Sequence, residues 1–306
     1  MKRALVAALL ILPLAAFAAA PEVEITSEPS HHLALENEHV RVFQVEVAPN
    51  AETLLHRHRH DYLFVTLGDS HVANEVADKP PVELKLADGE TRFTPGNFAH
   101  VARNLSDRLF HNVTIELIQD DKLRTAPSPW PMEGGDKEFP GGRIKVLFIR
   151  DGARVSAIDL EPGATVPSHR HDGPHLLVAV SDLDLRSDVD GMGPMPGKFK
   201  SGDVKWLPGG YTHTLTNVGK NPAKFVTVEF PVTLVGTVVI RAELDKNGHV
   251  VKTWVVKGVR PDLDQKAADV VKQQDWTQPV AGKRVRGPIQ VEVTFYDDGT
   301  MKIPSR

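Results

Sequence analysis

The order of apolar and polar positions predicts a chain built mostly from short strands. Val42 to Val47 alternates between the two classes, and Leu63 to Leu67 is an apolar run closed by Gly68. Leu176 to Val180 and Phe225 to Phe230 read the same way. With 23 glycines and 23 prolines to punctuate them, strands this short predict a β-sandwich or barrel. After Pro231 the pattern changes. Val238, Ile240, Ala242 and Leu244 alternate with Val239, Arg241, Glu243 and Asp245, a half-buried strand. Lys246-Asn247-Gly248 predicts a hairpin, and Val250 to Val256 predicts its return strand. Pro261 and Asp262 open a helix, with Asp262 and Gln265 fitting a capping box and Leu263, Ala267, Val270 and Val271 on one face. Val291, Val293 and Phe295 form a last strand, giving a small α+β unit in the order β-β-α-β.

The first of these regions is an internal repeat. An offset of 113 residues carries His56 onto His169 and His58 onto His171. The same offset carries Gly89 onto Gly202, Pro95 onto Pro208, His100 onto His213 and Asn104 onto Asn217. It also carries Val113-Thr114-Ile115-Glu116 onto Val226-Thr227-Val228-Glu229. A register kept without a gap over that distance means two copies of one domain. Residues 32–120 form the first and 143–231 the second. The Pro- and Gly-rich stretch 121–142 reads as a linker, and 232–306 as the third unit.

The extreme N-terminus belongs to none of these. Lys2 and Arg3 precede an apolar run from Ala4 to Leu14, and Ala16-Phe17-Ala18 offers the small residues of a cleavage site. This predicts a signal peptide over 1–18 and a periplasmic or otherwise exported protein, with no membrane span left after cleavage. A net charge of −4 gives no basic surface for nucleic acid. The absence of cysteine removes disulfides and thiolate ligands, so any metal must be held by nitrogen and oxygen.

Histidine is where the chemistry concentrates. On a strand, His169 and His171 share a face, and His213 is expected from a second, distant strand facing them. Imidazoles converging in this way suit a first-row transition ion. Gly163, His169 and His171, followed by Gly202, Pro208, Gly210, His213 and Asn217, resemble the two motifs of the cupin family. The resemblance covers roughly 32–231. It implies a mainly β protein of two double-stranded β-helix (jelly-roll) barrels, each with a metal at its mouth. The family's glutamate position holds His175, read as a fourth imidazole ligand. A neutral four-nitrogen site favours Fe, Cu, Ni or Zn over Mn. In the first copy His56, His58, His100 and Asn104 are present, Tyr62 stands at the glutamate position and Asn97 replaces a glycine. Tyr62 could ligate or line the pocket, and His60 or Asp61 could substitute. For this copy a second ion and a decayed site are equal alternatives. Arg57 and Arg170, between inward histidines, should point outward to surface acids.

The third unit resembles the C-terminal domain of the TonB family. Gly236-Thr237-Val238-Val239, the Asn247-Gly248 turn, Leu263-Asp264, Ala267-Ala268, Trp276, Pro279 and the strand ending at Phe295 carry that likeness. It implies docking on a TonB-dependent outer-membrane transporter, beside which self-association stands as the alternative. Two functions follow: an exported metal-binding bicupin that captures a small molecule or metal in the envelope, or a metal-dependent oxygenase acting on a small organic acid or diketone-like compound.

Overall fold

A computed structural model describes residues 21–76, 79–118, 130, 135–232, 234–274, 276, 288–296 and 301–303. The predicted signal segment, most of the predicted linker and Pro279 lie outside these residues.

Ten strands build the first barrel: β1 (Val23–Glu24), β2 (His31–Glu36), β3 (Val40–Val47), β4 (His56–His58), β5 (Tyr62–Leu67), β6 (Ser70–Val76), β7 (Val82–Leu86), β8 (Thr91–Thr94), β9 (Phe98–Asn104) and β10 (Phe110–Leu117). They form two sheets, ordered β1-β4-β9-β6-β7 and β2-β3-β10-β5-β8. The second barrel repeats the plan with β11 (Lys137–Phe139), β12 (Gly142–Arg150), β13 (Ala153–Leu160), β14 (Thr165–His171), β15 (His175–Ala179), β16 (Leu183–Val189), β17 (Gly193–Phe199), β18 (Val204–Leu207), β19 (Tyr211–Asn217) and β20 (Ala223–Glu229). Its sheets run β11-β12-β13-β20-β15-β18 and β14-β19-β16-β17. Two edge strands extend past the expected repeat. β1 pairs in parallel with β4, and β11 pairs with β12 inside the stretch read as linker. The Pro and Gly content of that stretch hid a three-residue strand.

Both barrels turn one apolar sheet face toward the other. Val42, Leu63, Val65, Val113, Ile115 and Leu117 pack in one core with Val155, Leu176, Val178, Val226, Val228 and Phe230. The offset of 113 maps each residue of the first set onto one of the second. Aromatic rings close the seam: Phe93 meets Phe148 at 6.1 Å, and His39 lies 5.3 Å from Trp206 and 5.2 Å from Phe230. Gln44 Nε2 donates to the Gly202 carbonyl at 2.7 Å across the same seam.

The second motif of each copy begins with a tight turn, Pro95-Gly96-Asn97 or Pro208-Gly209-Gly210. A Cβ on Gly96 would sit 2.2 Å from the His60 carbonyl oxygen, and one on Gly209 2.4 Å from that of Asp172. Asn97 has φ 65° where its counterpart Gly210 has φ 86°. Asparagine enters the left-handed region more readily than other side chains, so the departure from the glycine pattern leaves the turn intact. Asn97→Ala should destabilise the protein by about 1–2 kcal/mol and Asn97→Gly should be near neutral. Urea denaturation of both variants checks this; equal stability of Asn97→Ala and wild type would contradict it.

The third unit contains β21 (Leu234–Leu244), β22 (Val250–Lys257), helix α1 (Pro261–Gln273), β23 (Ile289–Tyr296) and a short β24 (Met301–Lys302). Sheet order is β22-β21-β23-β24. Val238, Ile240 and Ala242 alternate inward against Leu263, Ala267, Ala268 and Val271 of the helix, with Trp276 completing the core. Trp276 Nε1 donates to the Val271 carbonyl at 2.8 Å. The predicted capping box does not form. The helix begins one residue earlier, with Arg260 as a cap that makes no side-chain bond and Pro261 at the first helical position. Asp262 is taken up by Arg260, and Gln265 bonds Asp269 one turn on. At the hairpin only Gly248 is left-handed, and Asp245 accepts from the Asn247 and His249 amides. Among the described residues no helix is long and apolar enough to cross a membrane.

Candidate metal centres

In each barrel the His-x-His strand lies beside the strand of the second motif. β14 pairs antiparallel with β19, setting His169 directly opposite His213 and His171 opposite Tyr211. β4 pairs likewise with β9, setting His56 opposite His100 and His58 opposite Phe98. The third histidine therefore comes from a neighbouring strand of the same sheet rather than from one facing it. The intervening arginines point away, Arg57 to Glu22 at 2.5 Å and Arg170 to Asp172 at 2.7 Å.

In the second barrel, His169, His171 and His213 place ligand atoms within 4.8 Å of one another. Each ring has its Nδ1 engaged from behind. His169 Nδ1 donates to the Pro167 carbonyl at 2.8 Å. His171 Nδ1 donates to Glu229 Oε1 at 3.1 Å, and Glu229 in turn pairs with Arg154 at 3.1 Å. His213 Nδ1 bonds Ser187 Oγ at 2.6 Å. Engaging Nδ1 leaves Nε2 for the centre, which is how metal-ligating histidines are commonly held. The Nε2 atoms of His169 and His213 are 3.0 Å apart. Two nitrogens bound at about 2.1 Å and at right angles around one ion would show a separation of about 3.0 Å. These residues fit a metal.

The predicted fourth ligand, His175, is placed differently. Its ring stacks on that of His171, with centroids 3.9 Å apart and an interplanar angle of 13°. Imidazole lone pairs lie in the ring plane, so two face-to-face rings cannot both aim at one ion between them. Tyr62, at the same position of the first barrel, stacks on His58 at 4.0 Å and 17°. The position that the family gives to a glutamate thus carries a flat ring in both copies. Burial pushes the Tyr62 phenol up to about 12, and its ring lies flat on His58 as a wall of the site. Asp61 Oδ1 accepts from the Gly96 amide at 2.6 Å, tying it to the neighbouring turn.

The first barrel retains most of the surrounding shell, the exception being His58, whose Nδ1 makes no hydrogen bond among the described residues. Ring centroids of His56, His58 and His100 are 5.2, 5.2 and 4.5 Å apart, against 4.9, 5.2 and 4.4 Å for His169, His171 and His213 in the same order. His56 Nδ1 donates to the Leu54 carbonyl at 2.9 Å and His100 Nδ1 meets Asn74 Oδ1 at 2.5 Å. Glu116 stands 3.5 Å from His58 Nδ1 and is itself paired with Arg41. Leu54, Asn74, Glu116 and Arg41 are the repeat counterparts of Pro167, Ser187, Glu229 and Arg154. His56 Nε2 and His100 Nε2 are buried with no hydrogen-bond partner among the described residues, and a bound cation would satisfy both. A residue that sequence reasoning missed joins them: His31 groups with His56 and His58 within 4.8 Å.

Burial keeps these imidazoles neutral. Desolvation first, then neighbouring histidines, push His56 down to about 4, His58 to about 2, His175 to about 2 and His213 to about 3. His100 and His169 are lowered by the same first cause. Unfolded, these rings take up protons near 6.5, while the folded protein does not. Between pH 6.5 and the folded values the unfolded state binds more protons, so stability rises with pH and is lost as the pH drops through this range. Glu116, raised by burial, works in the opposite direction as a single group. The metal-free protein should therefore melt at a lower temperature at pH 5 than at pH 7; an unchanged midpoint would contradict the burial of these rings.

Each of the first two units is thus a jelly-roll barrel with a histidine-lined mouth, and the pair is a bicupin by fold. Residues 233–296 match the family described as Gram-negative bacterial TonB protein C-terminal. The chain thus joins two tandem jelly-roll barrels to a unit that matches the TonB C-terminal family. No curated protein matches the chain. Among solved structures, a variant of the oxalate decarboxylase of Bacillus subtilis is 15% identical with a TM-score of 0.48, covering 66% of this chain and 76% of that one. Another structure of the Bacillus subtilis enzyme, described with Mn(II) centres, is 16% identical with a TM-score of 0.47 over the same shares, 66% and 76%. AerE from Microcystis aeruginosa is 13% identical with a TM-score of 0.46, over 67% of this chain and 98% of its own. Likenesses this distant say nothing about substrate.

Proposed function

We propose that this protein is an exported metal-binding bicupin that captures a small molecule or metal ion in the Gram-negative envelope, with the C-terminal unit as its link to a partner there. One observation carries the reading: His169, His171 and His213 place ligand atoms within 4.8 Å of one another, each with Nδ1 engaged behind it. The ligand set is all nitrogen and uncharged, with the carboxylate of Glu229 used to hold His171 rather than to face the centre. That set suits Zn, Cu, Fe or Ni better than Mn. When bound, such an ion supplies a Lewis-acidic centre at the barrel mouth. Support for a partner-binding role comes from the TonB-type unit at 233–296, and support for export from the N-terminal signal pattern.

The test is metal analysis of the full chain after metal stripping, incubation with each of these ions and gel filtration. Retention of at least one equivalent per chain is expected. Retention of none, with the fold intact by circular dichroism, would end this reading. A metal-dependent oxygenase is the second reading, and the half-exposure of His169 favours it by opening the site to solute. It predicts dioxygen uptake when small organic acids or β-diketones are added to the loaded protein, whereas a capture protein shows none.

A further inference from the structure

We propose that the first barrel holds its ion in a closed site of four imidazoles, His56, His58 and His100 being completed by His31 from β2, while the second barrel holds its ion by three. This rests on the metal-binding reading above and adds a division of labour to it: one ion locked in, the other open to exchange and to ligands.

The two sites share the triangle of three rings and most of the shell behind it, and the first has a further imidazole beside it. His31 lies on β2, opposite Val45 of β3, in the sheet that faces the His-x-His strand. Its ring centroid is 4.6 Å from that of His56 and 6.2 Å from that of His58. The offset of 113 carries His31 onto Ile144, so the second barrel has an aliphatic side chain at this point. His31 is also equipped as a ligand. Its Nδ1 is 2.6 Å from Glu28 Oε2. Glu28 is buried to 2% exposure and is fixed by the Ser30 amide at 2.8 Å and the Leu54 amide at 3.0 Å. A buried carboxylate holding one ring nitrogen leaves the other turned inward, the same device that Glu229 supplies for His171.

Closure follows from burial. His31, His56, His58 and His100 are all buried, at 9%, 1%, 1% and 8%, whereas in the second barrel His171 and His213 are buried and His169 is partly exposed. A site with four protein ligands and no open face behaves as a structural one, and a site with three keeps a position for an exogenous ligand.

The experiment loads the full chain with Zn2+ and follows release to a chromophoric chelator, with total metal measured in parallel. Wild type should hold two ions and release them in two phases, one fast and one slow. His213→Ala should lose only the fast phase. His31→Ala should convert the slow phase into one faster by more than about 100-fold. His31→Phe, which keeps a ring in the space, should do the same, so a packing defect is separated from ligand loss. Loading with Cu2+ gives an independent readout, since removal of His31 should lower the nitrogen coupling seen in the paramagnetic spectrum of the slow site. A single release phase in wild type, or a slow phase unchanged in both variants, would overturn the proposal while leaving metal binding itself standing. Failure to bind any ion would instead remove the reading on which it rests.

Discussion

Replacing His213 with alanine should leave the second barrel without a tightly held ion and the first barrel loaded. His213 contributes the nitrogen that stands 3.0 Å from that of His169, and its ring is fixed from behind by Ser187. Removal of a side chain that merely supports a ligand costs metal affinity about 10- to 100-fold, so loss of a ligand itself should exceed about 100-fold. Calorimetric titration of the metal-stripped protein reads it directly, the first barrel serving as the internal control. His175→Phe provides the contrast. It keeps a flat ring on His171 and removes both of its nitrogens, so its effect should be far smaller. Equal losses for the two variants would restore His175 to the ligand set and refute the stacking argument.

The largest effect on stability is expected at Phe230→Ala. Phe230 is 1% exposed, lies in the core shared by the barrels and touches both His39 and Trp206. Truncating a buried phenylalanine leaves a cavity as well as removing apolar contact, at a cost of about 3–5 kcal/mol. Urea denaturation should show the loss in a single transition, because the core belongs to both barrels. A loss under about 1 kcal/mol, or two separate transitions of which one is unchanged, would mean that the barrels fold without leaning on each other.

The barrels were readable because their signals are local or periodic. His-x-His on a strand puts both rings on one face, and the repeat brought His100 and His213 into register with them. His31 escaped because it precedes His56 by 25 residues, on a strand of the other sheet, where no spacing rule connects the two. Its only trace is the His31-His32 pair at the head of β2. His175 was misplaced for another reason. Spacing locates a ring near the centre but does not orient it; the aromatic residue at the same position of the other copy, Tyr62, was the available clue that this place calls for a flat surface. Glu116 and Glu229 were visible as part of the matched Val-Thr-x-Glu segments, yet their work on the histidines depends on a cross-sheet approach that sequence does not display. At α1, Asp262 and Gln265 had the right separation for a cap, but Pro261 began the helix first.

The seam between the barrels has an implication for history. Because identical positions from the two repeats meet there, each half presents the patch that the other half presents, the hallmark of a self-complementary contact. A single ancestral barrel with this face would have been a homodimer, and gene duplication would have fused its subunits into one polypeptide. Once the partners were covalently joined, they no longer had to stay alike, and one mouth could diverge from the other without disturbing their union.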